Sequence, residues 1–216
     1  ASGLEVASLT LEPIAALNAA IPADLRLLNL VLADIGAGTS DIAVCRDGTV
    51  VGYTMATIAG DEVTEELMRL YLVPFATAER MKTQMDAPAV VYRDVLGLEQ
   101  SVSGSEVRQA VQKPARLLAQ EIAQRVSSLN GGAPSAIFLA GGGSKLEGLR
   151  GLVAEALDMD ENRVALAGNN YDITAFSEEY DLNDPELATP LGIAVSAGLG
   201  LISDSYRILL NGQPAK

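Results

Sequence analysis

The sequence predicts an α/β protein in which a mixed sheet, opened by an antiparallel meander, is flanked by helices. The first sign is an almost continuous apolar run at Leu28–Ile35, typical of a strand covered on both faces. A glycine-rich turn follows it, and Asp47-Gly48 then separates two further strand-like segments, which is a strong hairpin signal. Helical spacing of apolar residues dominates between 107 and 129.

The individual elements are predicted in chain order. A short strand is expected at Gly3–Leu9 and a helix from Pro13, because proline suits a first helical turn. The meander strands follow, then helical patterns near 63–85 and a short-stranded excursion at 86–104. Because Pro114 interrupts the next helical pattern, one helix is expected to end near Gln112 and another to begin at Lys113.

The C-terminal half is predicted to continue the sheet and its helices. A buried strand at Ala136–Ala140 precedes three glycines and a helix at about Leu146–Leu157, and 168–186 is expected to form a long loop. The uncharged stretch Leu187–Ser203 is shorter than a membrane span and rich in glycine, so we favour a buried helix. Tyr206–Leu210 is predicted to be a strand, and Asn211-Gly212 a hairpin turn that lacks its return strand.

Composition excludes several classes of function. The chain has 216 residues, room for one large or two small domains, and 15 basic against 28 acidic side chains give a net charge of -13. This charge disfavours nucleic-acid binding. The absence of histidine excludes Ser-His-Asp catalysis and most zinc sites, and a single cysteine, Cys45, excludes an intrachain disulfide. No signal peptide is visible, so the cytoplasm is the expected compartment.

The segment DIGAGTSDIAV, from Asp34 to Val44, is the most informative part of the sequence. Glycines in a tight turn allow backbone N–H groups to approach an anion, and we expect at least one of them to have a positive φ. Asp34 and Asp41 could hold Mg²⁺ through water, and Thr39 offers a hydroxyl to a phosphate. From this segment alone, a glycine hairpin with two solvated aspartates is equally consistent.

A second glycine cluster, Gly141-Gly142-Gly143, again lies between a strand and a helix. Neither cluster fits the P-loop or the Rossmann fingerprint. DIGAGTSD resembles the second phosphate motif of the actin-like ATPase superfamily, and LAGGGSKLEGL, about 100 residues later, resembles its adenosine motif. LEPIAAL and PLGIAVSAGLGL resemble the two connecting helices, which completes four motifs in family order. Gly36 and Gly141 are then expected to lie on the same side of one sheet, within the reach of one nucleotide.

Within the superfamily the sequence is most similar to the FtsA branch of bacterial cell-division proteins, through phrases such as IAGDEVTEEL, AERMK and KPARLLAQEI. MreB, PilM-type pilus proteins and DnaK-type chaperones share the framework with poorer agreement. The resemblance implies a ribonuclease-H-like fold of which this chain is the second half. It implies the end of the first domain and a connecting helix at 1–27, subdomain IIA at 28–59 and 106–203, an inserted subdomain IIB at 60–105, and a truncated following segment at 204–216.

The resemblance also implies a role for individual residues. The phosphate turn is matched by Asp34, Gly36, Gly38 and Thr39, with Asp34 and Asp41 near Mg²⁺. Glu12 matches a position that helps to place the attacking water. Gly60 and Asp61 match a glycine-acid pair beneath the nucleotide. Glu79 and Lys82 match a pair that reaches the ribose and base, although such residues three apart on a helix also form ordinary surface ion pairs. Gly141, Gly142 and Gly143 match the adenosine turn, and Lys145 falls where chaperone relatives place an arginine, which stacks better than lysine.

The function implied is that of an ATP-binding protein of cell division or cytoskeletal assembly. ATP with Mg²⁺ would lie between two halves, and the partners would be other copies in filaments and division or cytoskeletal proteins. The alternatives are a chaperone-like or PilM-like ATPase, and a nucleotide-gated scaffold with little hydrolysis. Because the family's first phosphate motif is absent from the sequence, this chain alone is expected to be inactive, and membrane attachment would require parts outside it.

Overall fold

The computed structural model describes residues 9–22, 24–168 and 184–198, together with three two-residue strands at 173–174, 209–210 and 213–214. The helices are α1 (Glu12–Ala20), α2 (Gly60–Tyr71), α3 (Phe75–Thr83), α4 (Gly104–Asn130), α5 (Leu149–Ala156) and α6 (Ala188–Gly198). The main strands are β1 (Leu30–Ile35), β2 (Ser40–Arg46), β3 (Thr49–Ala56), β4 (Val90–Arg93), β5 (Glu99–Val102), β6 (Ala136–Ala140) and β7 (Val164–Leu166).

A five-stranded mixed sheet in the order β3-β2-β1-β6-β7 organises the chain. β1, β2 and β3 form the predicted antiparallel meander, whereas β6 and β7 run parallel to β1. Register pairs Asp34 of β1 with Asp41 of β2 on one side and with Ala140 of β6 on the other. Because parallel strands end at the same edge, the turns that follow β1 and β6 lie side by side.

Helices cover both faces of this sheet. On one face α4 and α5 pack over a core that includes Val31, Ile35, Ile137 and Leu139. On the other face α1 packs over Leu32, Ala43 and Phe138, and α6 in turn packs against α1. The nearly uniform apolar character of β1 follows from this coverage of both faces.

A separate apolar cluster forms between residues 60 and 111. α2 and α3 bury Val63, Leu67, Ala78 and Met81 against the β4–β5 hairpin and the first turns of α4. The short-stranded excursion predicted at 86–104 is therefore this hairpin. The boundaries of the implied subdomains stay a prediction.

One helix, α4, replaces the two that the sequence predicted around Pro114. Pro114 lies inside α4 and is buried. The missing N–H disfavours an interior position, but Val107, Val111, Ala115 and Leu118 form one continuous buried stripe across it. Tertiary packing of this stripe outweighs the local cost, so the predicted break is wrong.

The remaining predictions have mixed outcomes. The helix beginning near Pro13 is confirmed as α1, whereas the strand predicted at 3–9 lies almost wholly outside the described residues, as does most of the loop predicted at 168–186. The prediction of a missing return strand is wrong, because Gln213–Pro214 (β10) pairs antiparallel with Leu209–Leu210 (β9), which also pairs with Ile173–Thr174 (β8). Within the described part of the chain, no helix is both long and apolar enough to cross a bilayer.

Candidate functional site

A cavity of about 800 Å³ lies at the sheet edge where β1 and β6 end. It also contacts the N-terminal part of α2, one side of α3, and the starts of α1 and α6. The predicted site residues that line it are Glu12, Asp34, Gly36, Gly60, Asp61, Glu79, Lys82, Gly141, Gly142, Gly143 and Lys145. Gly38, Thr39 and Asp41, also predicted, are not among the lining residues.

The turn between β1 and β2 is a tight hairpin, but its glycines do not have the backbone conformation that the sequence predicted. The Gly36 N–H donates to the Thr39 carbonyl at 2.9 Å. Neither Gly36 nor Gly38 has a positive φ, so that prediction is wrong. The close contact at this turn requires glycine at the start of α2. The Gly60 N–H donates to the Gly36 carbonyl at 3.1 Å, and a Cβ on Gly60 would crowd that oxygen.

The turn is thereby attached to α2, while its tip stays open. The Asp61 N–H donates to the Ala37 carbonyl at 2.8 Å, a second bond between this turn and the helix. Ala37, Gly38 and Thr39 are exposed to solvent. The exposed tip can present backbone N–H groups and the Thr39 hydroxyl to an anion without a change in the hairpin.

Three carboxylates influence one another beside this turn. Burial raises the pKa of the Asp34 carboxyl, a hydrogen bond from Thr189 opposes the rise, and the charges of Glu12 and Asp41 add to it. Burial and the charge of Glu12 likewise raise the pKa of Asp41. The Thr189 hydroxyl on α6 donates to Asp34 Oδ2 at 2.7 Å.

This concentration of negative charge fits a cation that a phosphate-bearing ligand would share. A divalent ion would favour the ionised forms of Asp34 and Asp41, whose pKa values are raised by burial first and by neighbouring carboxylate charge in addition. Among the residues that the structure describes, however, no three carboxylates or other ligand side chains are arranged to hold a metal ion directly. The donor set therefore fits Mg²⁺ held largely through water and phosphate oxygens, as Mg²⁺ commonly is.

The second glycine turn follows β6 and presses against the first. Gly141 has φ 76°, and a Cβ there would collide with Asp34 Oδ1 and with the Ile35 carbonyl. A Cβ on Gly143 would collide with the Ile35 side chain. Gly36 and Gly141 therefore lie on the same side of the sheet at one cavity, as the sequence predicts.

Lys145 ends this turn, and its ammonium is already paired. Nζ donates to Asp184 Oδ2 at 2.7 Å and to Glu186 Oε1 at 2.9 Å. Burial disfavours the charged form, but these two carboxylates hold the pKa of Lys145 above its ordinary value. The Gly141 N–H also donates to the Pro185 carbonyl at 2.9 Å. Together with the two Lys145 ion pairs, this bond attaches the glycine turn to the segment that precedes α6.

Glu79 and Lys82 line the opposite wall of the cavity, on α3. Lys82 Nζ lies 2.8 Å from Glu79 Oε2, and the Lys82 side chain is only 17% exposed. Burial opposes ionisation of Glu79, yet hydrogen bonds from Lys82 and Thr64 and the Lys82 charge hold the pKa of its carboxyl below the ordinary value. The pair is therefore partly buried and hydrogen-bonded, unlike the solvated surface pair that the spacing alone also allowed.

The far end of the cavity is partly apolar, with Met85, Leu118 and Leu146 in its lining. Two lining residues at this end, Asp86 after α3 and Glu147 after the second glycine turn, both pair with Arg108 of α4. A planar aromatic group could occupy the space between these apolar side chains.

Sequence reasoning missed several residues that complete the site. Thr64 and Thr189 each hydrogen-bond a predicted site residue, and Asp184 and Glu186 hold Lys145. For Thr64 a signal existed: it is polar yet falls on the buried stripe of α2 with Gly60, Val63 and Leu67, at i, i+3, i+4 and i+7 spacing. For Thr189 there was none, since its partner lies 155 residues away.

Comparison with known proteins identifies relatives of this arrangement. The family model described as Cell division protein FtsA matches residues 31–192. Cell division protein FtsA of Pseudomonas aeruginosa is 27% identical over 97% of this chain and 52% of its own length. That of Bacillus subtilis is 23% identical over 89% of this chain and 44% of its own length, so the chain spans about half the length of these relatives.

Solved structures with the same fold are actin-like. A PilM-PilN type IV pilus biogenesis complex matches with a TM-score of 0.66 at 23% identity, over 90% of this chain and 54% of the other. MreB5 of Spiroplasma citri bound to ADP matches with a TM-score of 0.68 at 17% identity, over 90% and 61%. These likenesses confirm the ribonuclease-H-like, actin-like ATPase fold.

Proposed function

We propose that the cavity of this chain, which belongs to the FtsA family of cell division proteins, binds ATP with Mg²⁺ as one wall of a nucleotide site. One observation carries the proposal. Two glycine turns, an acidic group around Asp34 and the Glu79–Lys82 pair come from four separate parts of the sequence and line or adjoin a single cavity. A nucleotide requires these same features in one place: backbone donors for phosphate, acids for a metal, and polar groups for the sugar.

Each wall of the cavity has a distinct task in this proposal. The turn at Gly36–Thr39 receives the phosphates and the turn at Gly141–Gly143 lies against the adenosine, because glycine allows close approach of the main chain. Asp34 and Asp41 hold Mg²⁺ through water, and the bound ion supplies positive charge to the phosphate oxygens. Glu79 and Lys82 contact the ribose, and the base lies toward Met85 and Leu146.

Glu12 is the residue placed to act on water. It stands on α1 at the cavity, and its charge reaches both Asp34 and Asp41. A carboxylate in this position accepts a hydrogen bond from a water molecule and orients its lone pair toward a phosphate. Hydrolysis in such a site depends on orientation and charge stabilisation, without a covalent intermediate. If instead the protein is a nucleotide-gated scaffold, ATP binds and phosphate release stays at background.

The wider role follows from the family. Relatives named as cell division proteins and a pilus biogenesis complex share this framework, so we propose that nucleotide binding controls self-association and the recruitment of division or cytoskeletal proteins. The place of action in this proposal is the cytoplasm, with attachment to the membrane through another part of the protein or a partner.

Replacement of Lys82 tests the nucleotide site. Titration of the chain with Mg-ATP should shift the backbone amide resonances of Gly36 and Gly141. In Lys82→Ala, saturation should require about tenfold more nucleotide, equal to ~1.4 kcal/mol. Lys113→Ala is the matched control, because Lys113 is exposed on α4 and is not part of the cavity lining. Equal titrations of the two variants would contradict the proposed site.

A further inference from the structure

Thr64 is one of the few polar side chains that the structure buries completely, at 0% exposure. It lies on α2, in a stripe that otherwise packs apolar atoms against α3 and α4. Burying a hydroxyl is unfavourable unless it is hydrogen-bonded. The position of Thr64 therefore depends on its polar partners.

Those partners are the two predicted ligand residues of α3. Thr64 Oγ1 lies 2.6 Å from Glu79 Oε2 and 2.8 Å from Lys82 Nζ. The Gly60 carbonyl lies 3.3 Å from both Thr64 Oγ1 and Lys82 Nζ. All four groups meet where α2, α3 and the cavity adjoin.

The chemistry of these groups fixes the direction of each hydrogen bond. An ammonium only donates and a carboxylate only accepts. Lys82 therefore donates to Thr64, and the single hydroxyl proton of Thr64 goes to the nearer acceptor, Glu79. The hydroxyl thus accepts from Lys82 and commits its one proton to Glu79, which holds Glu79 Oε2 in one place.

The other oxygen of Glu79 remains available. Among the described residues nothing hydrogen-bonds Glu79 Oε1, and the side chain is 43% exposed at the cavity. Because Thr64 and Lys82 hold Glu79 Oε2, the position of Oε1 is fixed as well, and Oε1 can accept a hydrogen bond from a ligand hydroxyl in the cavity. Within a nucleotide, the ribose hydroxyls are such donors.

We propose that Thr64 is a positioning residue, which sets the Glu79 carboxylate to accept from the ribose hydroxyls and so makes the cavity select ribonucleotides over 2′-deoxyribonucleotides. This inference rests on the proposed function, that the cavity binds a nucleotide. Thr64 itself does not touch the ligand; it acts through Glu79 and Lys82.

Thr64→Val tests the inference, because valine keeps the shape and removes the hydroxyl. ATP and 2′-deoxyATP, each with Mg²⁺, are titrated into wild type, Thr64→Val and Thr64→Ser, and binding is followed by amide shifts. Thr64→Val should lose about tenfold in affinity for ATP and little for 2′-deoxyATP. Thr64→Ser, which retains the hydroxyl, should restore the preference for ATP.

A second measurement needs no nucleotide. In Thr64→Val the carboxyl carbon of Glu79, followed by NMR, should titrate at higher pH than in wild type, and in Thr64→Ser it should not. If Thr64→Val fails to fold, Thr64→Ala takes its place in both experiments.

The outcomes separate this inference from the proposed function. An unchanged ratio of ATP to 2′-deoxyATP affinity in Thr64→Val, with wild type binding both, would overturn the role of Thr64 and leave the nucleotide site intact. Absence of binding in wild type would refute the nucleotide site, and the ribose role of Thr64 would fall with it.

Discussion

Asp34 is held in a position that costs the fold free energy. Its carboxylate is largely buried between Glu12 and Asp41, and its pKa is raised by burial first and by those charges in addition. A carboxyl whose pKa is higher in the folded state than in the unfolded chain is destabilising when ionised. Such a cost in the lining of a cavity is typical of a residue that serves in binding.

Asp34→Asn should therefore stabilise the chain while removing Mg-nucleotide binding. The amide oxygen can still accept from Thr189, and the buried charge is gone. The gain should be complete at pH 7, shrink as the pH falls through the raised pKa of Asp34, and vanish below its ordinary value of 3.8. Urea unfolding across this pH range measures it.

The matched control for Asp34→Asn is Glu99→Gln, an equivalent loss of charge at an exposed position on β5. It should change the free energy of unfolding by less than about 0.5 kcal/mol. A loss of stability in Asp34→Asn at pH 7 would show that the carboxylate is a net stabilising group.

At the scale of elements, the contact between α1 and α6 sets the position of two cavity residues. Gly192 of α6 lies directly against the Ala15 carbonyl of α1, so closely that a Cβ on Gly192 would overlap that oxygen. Glu12 begins α1 and Thr189 lies in the first turn of α6. The distance between these two helices therefore controls how the acids and the Thr189 hydroxyl meet.

Gly192→Ala should destabilise the chain by about 2 kcal/mol, because the backbones must separate to admit the methyl group. Gly151→Ala is the matched control: Gly151 is also helical, in α5, but its Cβ would meet only Glu161 at an ordinary 3.4 Å. That change should stabilise by ~0.5–1 kcal/mol through helix propensity. Chemical unfolding of both variants measures the difference, and similar effects would rule out a tight crossing.

The elements that the sequence predicted well are those with strong local signals. The meander β1–β2–β3 was predictable because a continuous apolar run, a glycine-rich turn and Asp47-Gly48 leave few alternatives. The break at Pro114 was mispredicted, because a local cost of about 3 kcal/mol was weighed without the packing of α4 over two apolar clusters. Local preference gives way where a long helix has tertiary contacts along its length.

For the candidate site, motif spacing indicated which residues meet, but not what holds them. Gly36 and Gly141 could be placed together because each follows a strand and parallel strands end at one edge. The role of Thr64 depends on the packing of α2 against α3, and that of Thr189 on α6 reaching back to β1. The polar position of Thr64 on the buried stripe of α2 was visible in the sequence, but its partners on α3 were not. Thr189 had no such signal, because its contact with Asp34 is made by tertiary structure alone.

At the scale of the whole molecule, the cavity has an acidic end around Asp34 and an apolar end around Met85, Leu118 and Leu146. The turn beside the acidic end is open to solvent, since Ala37, Gly38 and Thr39 are exposed. Hydrogen bonds and charges that face water are screened and contribute less than the same groups in a closed cleft. The chain spans about half the length of its curated relatives, which contain further sequence that could cover this end.

We therefore expect this chain to bind Mg-ATP weakly and to release no phosphate above background. A protein of the relatives' full length should bind at least tenfold more tightly, since ~1.4 kcal/mol from a second wall suffices for that factor. Calorimetry with Mg-ATP on both proteins, and a phosphate-release assay with Glu12→Gln as the inactive reference, make the comparison. Affinity that is the same in both, or steady turnover by this chain, would mean that the residues around Asp34 and Gly141 form a complete site without a second wall.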